Sequence, residues 1–152
     1  MERQIGLGCG VSGTLVRRAA LRVGLGRGMD EEATLFERVG GREGVHAVIW
    51  RFYELVESDV ELRAIYPEDL APGREKLFLF MEQWLGGEPR YSELYGHPRL
   101  RMRHFPFAIT EHGTGRWLRH MRQAMRDTGV GDEEQREIFA AWGPLARHMI
   151  NQ

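Results

Sequence analysis

His104 stands at the end of a short basic stretch, His97-Pro98-Arg99-Leu100-Arg101-Met102-Arg103-His104-Phe105-Pro106-Phe107. Phe105 and Phe107 flank the histidine, and Pro106 stops a helix from running on past it. The pattern predicts an imidazole at a helix end beside apolar side chains, with Arg101 and Arg103 at hand for an anion. A buried neutral imidazole is a metal ligand, and a neighbouring cation suits a cofactor that carries acidic groups. Haem has both properties. A basic surface turn carrying a structural histidine is the plainer alternative, and these residues alone leave it open.

The other histidines narrow the choice. His46, His97, His104, His112, His120 and His148 include no pair spaced i, i+4, and there is no HExxH or Cys/His array. A multi-ligand zinc site is therefore not expected. A single protein ligand is what haem requires, because the porphyrin supplies four donors of its own. His97 beside Pro98 and His148 near the C-terminus read as exposed or structural. Tyr53 and Trp117 fall on or beside the apolar faces of their helices, and Tyr66 follows Ile65 just before Pro67. Buried hydroxyl and indole groups need partners, commonly backbone carbonyls. If these three converge on one cavity, they form a donor cluster suited to a small, partly negative ligand. Phe80, Met81, Met102, Met121 and Met125 read first as core filling, and would line an apolar slot equally well.

The elements that must position these residues are helices. With 152 residues, 42% apolar and 28% charged, the chain has the composition of an ordinary globular protein. Its net charge of −1 argues against nucleic-acid binding, and no apolar run approaches the ~18–20 residues of a membrane span. Cys9 stands alone, which excludes an intrachain disulfide. Residues 1–30 hold seven glycines and five arginines against two acids. They read as an extension, either a flexible arm or a weak amphipathic helix over residues 13–23, unless translation starts at Met29. The domain proper is assigned to residues 31–152.

Within it, Thr34 and Glu37 fit a capping box ahead of Leu35–Val39 and Gly40-Gly41. Val45, Val48, Ile49, Phe52, Tyr53 and Val56 recur at helical spacing. Ser58 with Glu61 fits a second capping box. Leu77, Phe80, Met81 and Trp84 predict the buried stripe of a helix starting near Pro72 and ending at Gly86-Gly87. Residues 86–98 read as a long loop. A helix over Glu111–Asp127 carries Trp117, Met121 and Met125. A last one, capped by Asp132, carries Ile138, Trp142, Leu145 and Met149. The result is an all-α domain.

Several segments have a familiar order. Leu35-Phe36-Glu37-Arg38-Val39-Gly40-Gly41, Arg51-Phe52-Tyr53 and Tyr66-Pro67-Glu68-Asp69-Leu70 resemble the opening helices of the group II truncated haemoglobins. Phe80-Met81-Glu82-Gln83-Trp84-Leu85-Gly86-Gly87-Glu88-Pro89-Arg90-Tyr91 resembles that family's distal helix and the loop after it. The run from Gly96 to Phe107 is similar to its proximal segment almost residue for residue. The resemblance covers about residues 34–151 and leaves the first 30 outside; His112-Gly113-Thr114-Gly115 departs from the charged run expected there, leaving the start of the Trp117 helix open.

The resemblance implies a globin-like, truncated two-over-two helical sandwich around haem b. By position, His104 is the proximal iron ligand, and Tyr53, Tyr66 and Trp117 are distal donors, with Leu77 over the iron and Gly73 at the distal gate. Arg103 pairs with a haem propionate, with Tyr91 and Lys76 as weaker candidates. Phe52, Phe80, Met81, Met102, Phe107 and Met121 complete the expected haem contacts. The implied ligands are O2, NO, CO, cyanide and sulfide. O2/NO redox chemistry or detoxification, as an NO dioxygenase or a peroxidase-like activity with Tyr53 and Trp117 as catalytic residues, is expected over bulk transport. That chemistry needs an external reductase, since no flavin or nicotinamide motif is present. A sensor or storage module without turnover is the alternative. A cytoplasmic setting is expected, and the sequence leaves open whether the chain forms a homodimer.

Overall fold

The computed structural model describes residues 32–152, and the regular elements among the described residues are all helical. In chain order they are α1 (Leu35–Arg38), α2 (Gly41–Ser58), α3 (Val60–Arg63), α4 (Ala71–Trp84), α5 (Arg90–Tyr95), α6 (Leu100–His104), α7 (Glu111–Asp127) and α8 (Asp132–His148). The expectations for the N-terminal extension, its residue 13–23 helix, Met29 and Cys9 lie outside the described residues.

Helix α2 is the hub. It packs on both α4 and α7, and α7 packs in turn on α8, so the α2–α4 pair lies over the α7–α8 pair. The predicted stripe of α2 is the buried one: Val45, Val48, Ile49, Phe52, Tyr53 and Val56 are all enclosed. Each such side chain contributes about 1.5–3 kcal/mol of hydrophobic stabilisation when fully buried. Phe52, Trp117, Trp142 and Trp84 then form an aromatic column through the four long helices, with successive ring centroids 5.1, 5.5 and 5.4 Å apart.

The corner between α1 and α2 depends on two local features. The Thr34–Glu37 capping box is present, with the Glu37 N–H donating to Thr34 Oγ1 at 3.2 Å and the Thr34 N–H to Glu37 Oε2 at 2.7 Å. Gly44 lets the backbones touch: a Cβ there would stand 1.9 Å from the Val39 carbonyl oxygen.

Four expectations need correction, each for a physical reason. The cap of α3 is Asp59, which accepts from the Leu62 N–H at 3.1 Å, whereas the Ser58 hydroxyl donates back to the Glu54 carbonyl inside α2. Helix α4 adds two buried residues, Phe78 and Glu82, that the expected apolar stripe left out. Phe78, Met81 and Glu82 are buried, while Leu77, Phe80 and Trp84 are half-buried. Glu82 is 1% exposed, and its carboxylate receives Arg42 and Arg90 at 2.5 Å each. An apolar count cannot see a buried ion triad.

The segment read as a loop over 86–98 contains α5. This helix is too short for periodicity to reveal, and a reciprocal pair holds it to α4. Ser92 N–H donates to Gln83 Oε1 at 2.9 Å, and Gln83 Nε2 donates to Ser92 Oγ at 2.7 Å. Finally, Gly131 and not Asp132 is the N-cap of α8. Asp132 is the first helical residue, and with Glu133 and Glu134 it places negative charge on the positive end of the helix dipole.

The Glu82 triad supplies a test of the fold. Replacing both Arg42 and Arg90 with alanine strands a buried carboxylate and is expected to cost about 3–5 kcal/mol of stability. Urea unfolding measures this; a loss under 1 kcal/mol contradicts the assignment.

Candidate cofactor and ligand site

The basic stretch folds as predicted at its functional end. Arg99, at φ +42°, turns the chain into α6, and its N–H donates to His97 Nδ1 at 3.2 Å. Helix α6 ends at His104. The ring's Nδ1 lies 2.7 Å from the Leu100 carbonyl oxygen one turn earlier, a distance that makes it the protonated nitrogen. Nε2, the other nitrogen, has no partner among the described residues. A carbonyl on Nδ1 fixes the tautomer and raises the basicity of Nε2, as is usual for metal-bound histidines. The ring is half-buried and not fully enclosed as expected.

The arginines around it are already engaged. Arg101 donates to the His148 carbonyl at 2.6 Å, so it is a tie to the C-terminal helix. Arg103 donates through Nε to the Pro98 carbonyl at 2.9 Å and through Nη2 to the Tyr95 carbonyl at 3.2 Å. Its guanidinium lies 5.9 Å from the centre of the Tyr91 ring. Tyr91 packs 5.2 Å from Tyr95, which carries the Lys76 ammonium 5.4 Å from its own ring. The three predicted anion-binding residues thus gather around two phenol rings. An open hollow of about 410 Å³ adjoins them, lined by Tyr95, Gly96, His97, Arg99, Met102 and Arg103. Tyr95, one helical turn after Tyr91, was missed by the sequence reading; the i, i+4 spacing was the available signal.

The polar aromatics converge. The rings of Tyr53 and Tyr66 meet edge-on, with centroids 5.9 Å apart, and the Trp117 indole N–H faces the Tyr66 hydroxyl. No backbone carbonyl takes either phenol as a hydrogen-bond donor among the described residues. Burial pushes the Tyr53 hydroxyl far above its ordinary pKa, opposed only weakly by the Arg74 charge. Burial does the same to Tyr66, reinforced by Tyr53 and eased by Trp117. Both phenols therefore keep their protons at neutral pH and remain donors. Gly73 approaches closely, since a Cβ there would lie 3.1 Å from the Tyr53 hydroxyl oxygen.

The remaining candidates divide by exposure. Leu77, Phe80 and Phe107 are half-buried, and Met102 is 52% exposed, so each has apolar surface to offer. Phe52, Met81 and Met121 belong to the core and have at most 1% of their surface free. His46 stacks on Trp50, His97 and His148 are exposed, and no cluster of metal-ligating side chains exists among the described residues.

Asp59, also missed by the sequence reading, ties the distal cluster together. It starts the turn that carries Tyr66 and binds two residues of the Trp117 helix, Arg116 Nη1 and His120 Nε2, both at 2.7 Å. Glu61 extends the network to His112 at 2.8 Å and to Arg116.

A profile of the bacterial-like globins matches residues 34–151. The group 2 truncated hemoglobin YjbI of Bacillus subtilis is 41% identical over 112 residues, covering 74% of this chain and 85% of that protein. The crystal structure of the group II truncated hemoglobin from Bacillus anthracis superposes with a TM-score of 0.78 at 38% identity, covering 81% of this chain and 95% of that one. A truncated oxygen-avid haemoglobin from Bacillus subtilis superposes at 0.74 and 39% identity, covering 78% and 100%. This chain is a group II truncated haemoglobin of the bacterial-like globin family.

The two-over-two arrangement is the fold of that family, and its cofactor is haem. The residues of this truncated haemoglobin fit the group. His104 has its outer nitrogen unengaged, Leu77, Phe80, Met102 and Phe107 have apolar surface to spare, and Arg103 and Lys76 stand beside phenols as cations for two carboxylates. No helix among the described residues is long and apolar enough to cross a membrane.

The Asp59 network has a pH signature. Hydrogen bonds from His120, the Leu62 N–H and Arg116 hold the carboxyl at about 2, below the ordinary 3.8. The folded state keeps this carboxylate ionised to lower pH than the unfolded chain does. Its stabilisation is complete above pH 4 and lost as the pH falls toward 2. Asp59→Asn is expected to lower the melting temperature at pH 7 and to flatten its decline between pH 4 and 2. An unchanged slope contradicts the network.

Proposed function

We propose that this truncated haemoglobin binds dioxygen and other small ligands at an iron held by His104, with Tyr53, Tyr66 and Trp117 as hydrogen-bond donors to the ligand. The supporting observation is the convergence of three donors from α2, the turn after α3, and α7 on one cluster, in a chain whose His104 has its tautomer fixed by the Leu100 carbonyl and its Nε2 unengaged. Haem, when bound, supplies the coordination position at which such a ligand sits. Everything else is the work of the protein.

His104 donates electrons through Nε2 and is held in orientation by the Leu100 carbonyl. Arg103 and Lys76 would offset the charge of the propionate carboxylates, with the neutral Tyr91 hydroxyl as a further hydrogen-bond donor, while Leu77, Phe80, Met102 and Phe107 would exclude water around the cofactor. Phe52, Met81 and Met121, enclosed in the core, act by supporting those side chains. The Tyr53 and Tyr66 hydroxyls, protonated and shielded from water, would donate to the ligand atom that gathers negative charge. Trp117 stands beside Tyr66, and its single indole N–H is the third donor to the ligand.

Hydrogen bonds to a charged acceptor contribute on the order of 1.5–3 kcal/mol each, or about ten- to hundredfold in ligand release. Slow release suits redox chemistry on O2 or NO better than delivery, and agrees with the oxygen-avid character named for the Bacillus subtilis relative. Catalytic turnover needs electrons from a separate reductase.

Stopped-flow measurement of O2 release from the ferrous protein tests the reading. Tyr53→Phe is expected to speed release about ten- to hundredfold, and Trp117→Phe to act in the same direction. Rates unchanged in both variants contradict the donor assignment.

A further inference from the structure

The end of the chain returns to the histidine. Asn151, the penultimate residue, places its side-chain amide against the turn that follows α6, and every hydrogen of that amide is used. Nδ2 donates to the His104 carbonyl at 3.2 Å and to the Phe107 carbonyl at 3.0 Å. Oδ1 accepts from the Ile109 N–H at 3.1 Å. The orientation of the amide follows from its surroundings, because only the nitrogen end can face two carbonyl oxygens. The main chain reinforces the contact, with the Asn151 N–H donating to the Ile109 carbonyl at 3.0 Å. Arg101 supplies a second tie, from α6 to the His148 carbonyl.

These bonds meet a specific need. Helix α6 has five residues, from Leu100 to His104, and none of them is buried. A helix this short is marginal without outside support. Its last carbonyls have no intrahelical partner, and the His104 carbonyl is one of them. The chain's own Phe107 N–H reaches that oxygen at 3.0 Å, and Asn151 provides the second donor. The proximal turn is therefore held by hydrogen bonds from the C-terminus in place of side-chain packing.

The geometry points to Asn151 as a positioning residue for the proximal histidine: its amide fixes the backbone of His104 and thereby the tilt of the imidazole and the strength of its bond to iron. This rests on the reading of His104 as the iron ligand. With the amide removed, the His104–Phe107 turn gains freedom and the bond between Nδ1 and the Leu100 carbonyl loosens. The imidazole then becomes a weaker electron donor.

Resonance Raman spectra of the full-length ferrous protein without added ligand test this through the iron–histidine stretching band. Asn151→Ala is expected to move the band to lower frequency and broaden it, and to speed hemin transfer to an acceptor globin by about tenfold. Asn151→Asp keeps the shape and the acceptor for Ile109 but sets a carboxylate against two carbonyl oxygens. It is expected to shift the band at least as far, and it carries the test should the alanine variant fold poorly. Gln152→Ala, which leaves the amide in place, is expected to match the wild type.

Bands and hemin-loss rates identical to wild type in both Asn151 variants overturn the positioning role while leaving His104 as ligand. A wild-type protein that takes up haem but shows no iron–histidine band overturns the His104 reading instead.

Discussion

A single hydrogen bond, from His104 Nδ1 to the Leu100 carbonyl at 2.7 Å, constrains how this molecule can work. It settles which nitrogen carries the proton and leaves the other as the only imidazole donor so disposed in the proximal segment. Its strength depends on α6 holding its register, and α6 has no buried side chain of its own. The segment is therefore organised from outside: Pro98 and Arg99 set its entry, Arg103 closes back on the Pro98 carbonyl, and the C-terminus grips its end. A rigid helical core thus presents His104, the proposed iron ligand, on a short element that core packing does not immobilise.

The opposite economy holds at the phenols. Tyr53 is 4% exposed and sits on the most deeply buried helix, so its ring cannot move without disturbing Ile49, Phe52 and Val56 beside it. Tyr66 comes from an irregular turn, and Asp59 ties the base of that turn to Arg116 and His120 on the Trp117 helix. One donor is fixed by packing and the other by a polar network. Both hydroxyls are protonated donors at neutral pH, and desolvation raises them further from ionisation. Gly73 keeps the facing helix close to Tyr53 without filling the space between them.

Much of this was legible in the residues themselves. The stripe on α2 was visible because apolar side chains at helical spacing have only one way to be buried together. Thr34 and Glu37 announced their cap, and His104 stood out by its flanks and the proline after it. The burial of Glu82 on α4 was hidden because its partners, Arg42 and Arg90, come from two other helices. Helix α5 was hidden because Gln83 and Ser92, not periodicity, hold it. Asp59 was hidden behind Ser58 because local pattern says nothing about Arg116 and His120 arriving from α7. The convergence of Tyr53, Tyr66 and Trp117, and the return of Asn151 to His104, are long-range facts that no local window contains. The family resemblance anticipated the first of these and said nothing of the second.

The most direct test of the account is the visible absorption spectrum of the protein after titration with hemin, compared between wild type and His104→Gly. The wild type is expected to take up one hemin per chain and show a strong Soret band. The variant is expected to show an altered spectrum, restored when free imidazole is added to fill the vacated position. A variant whose ferrous and ferric spectra match the wild type, or a folded wild type that leaves hemin unbound, contradicts the claim that His104 holds the iron.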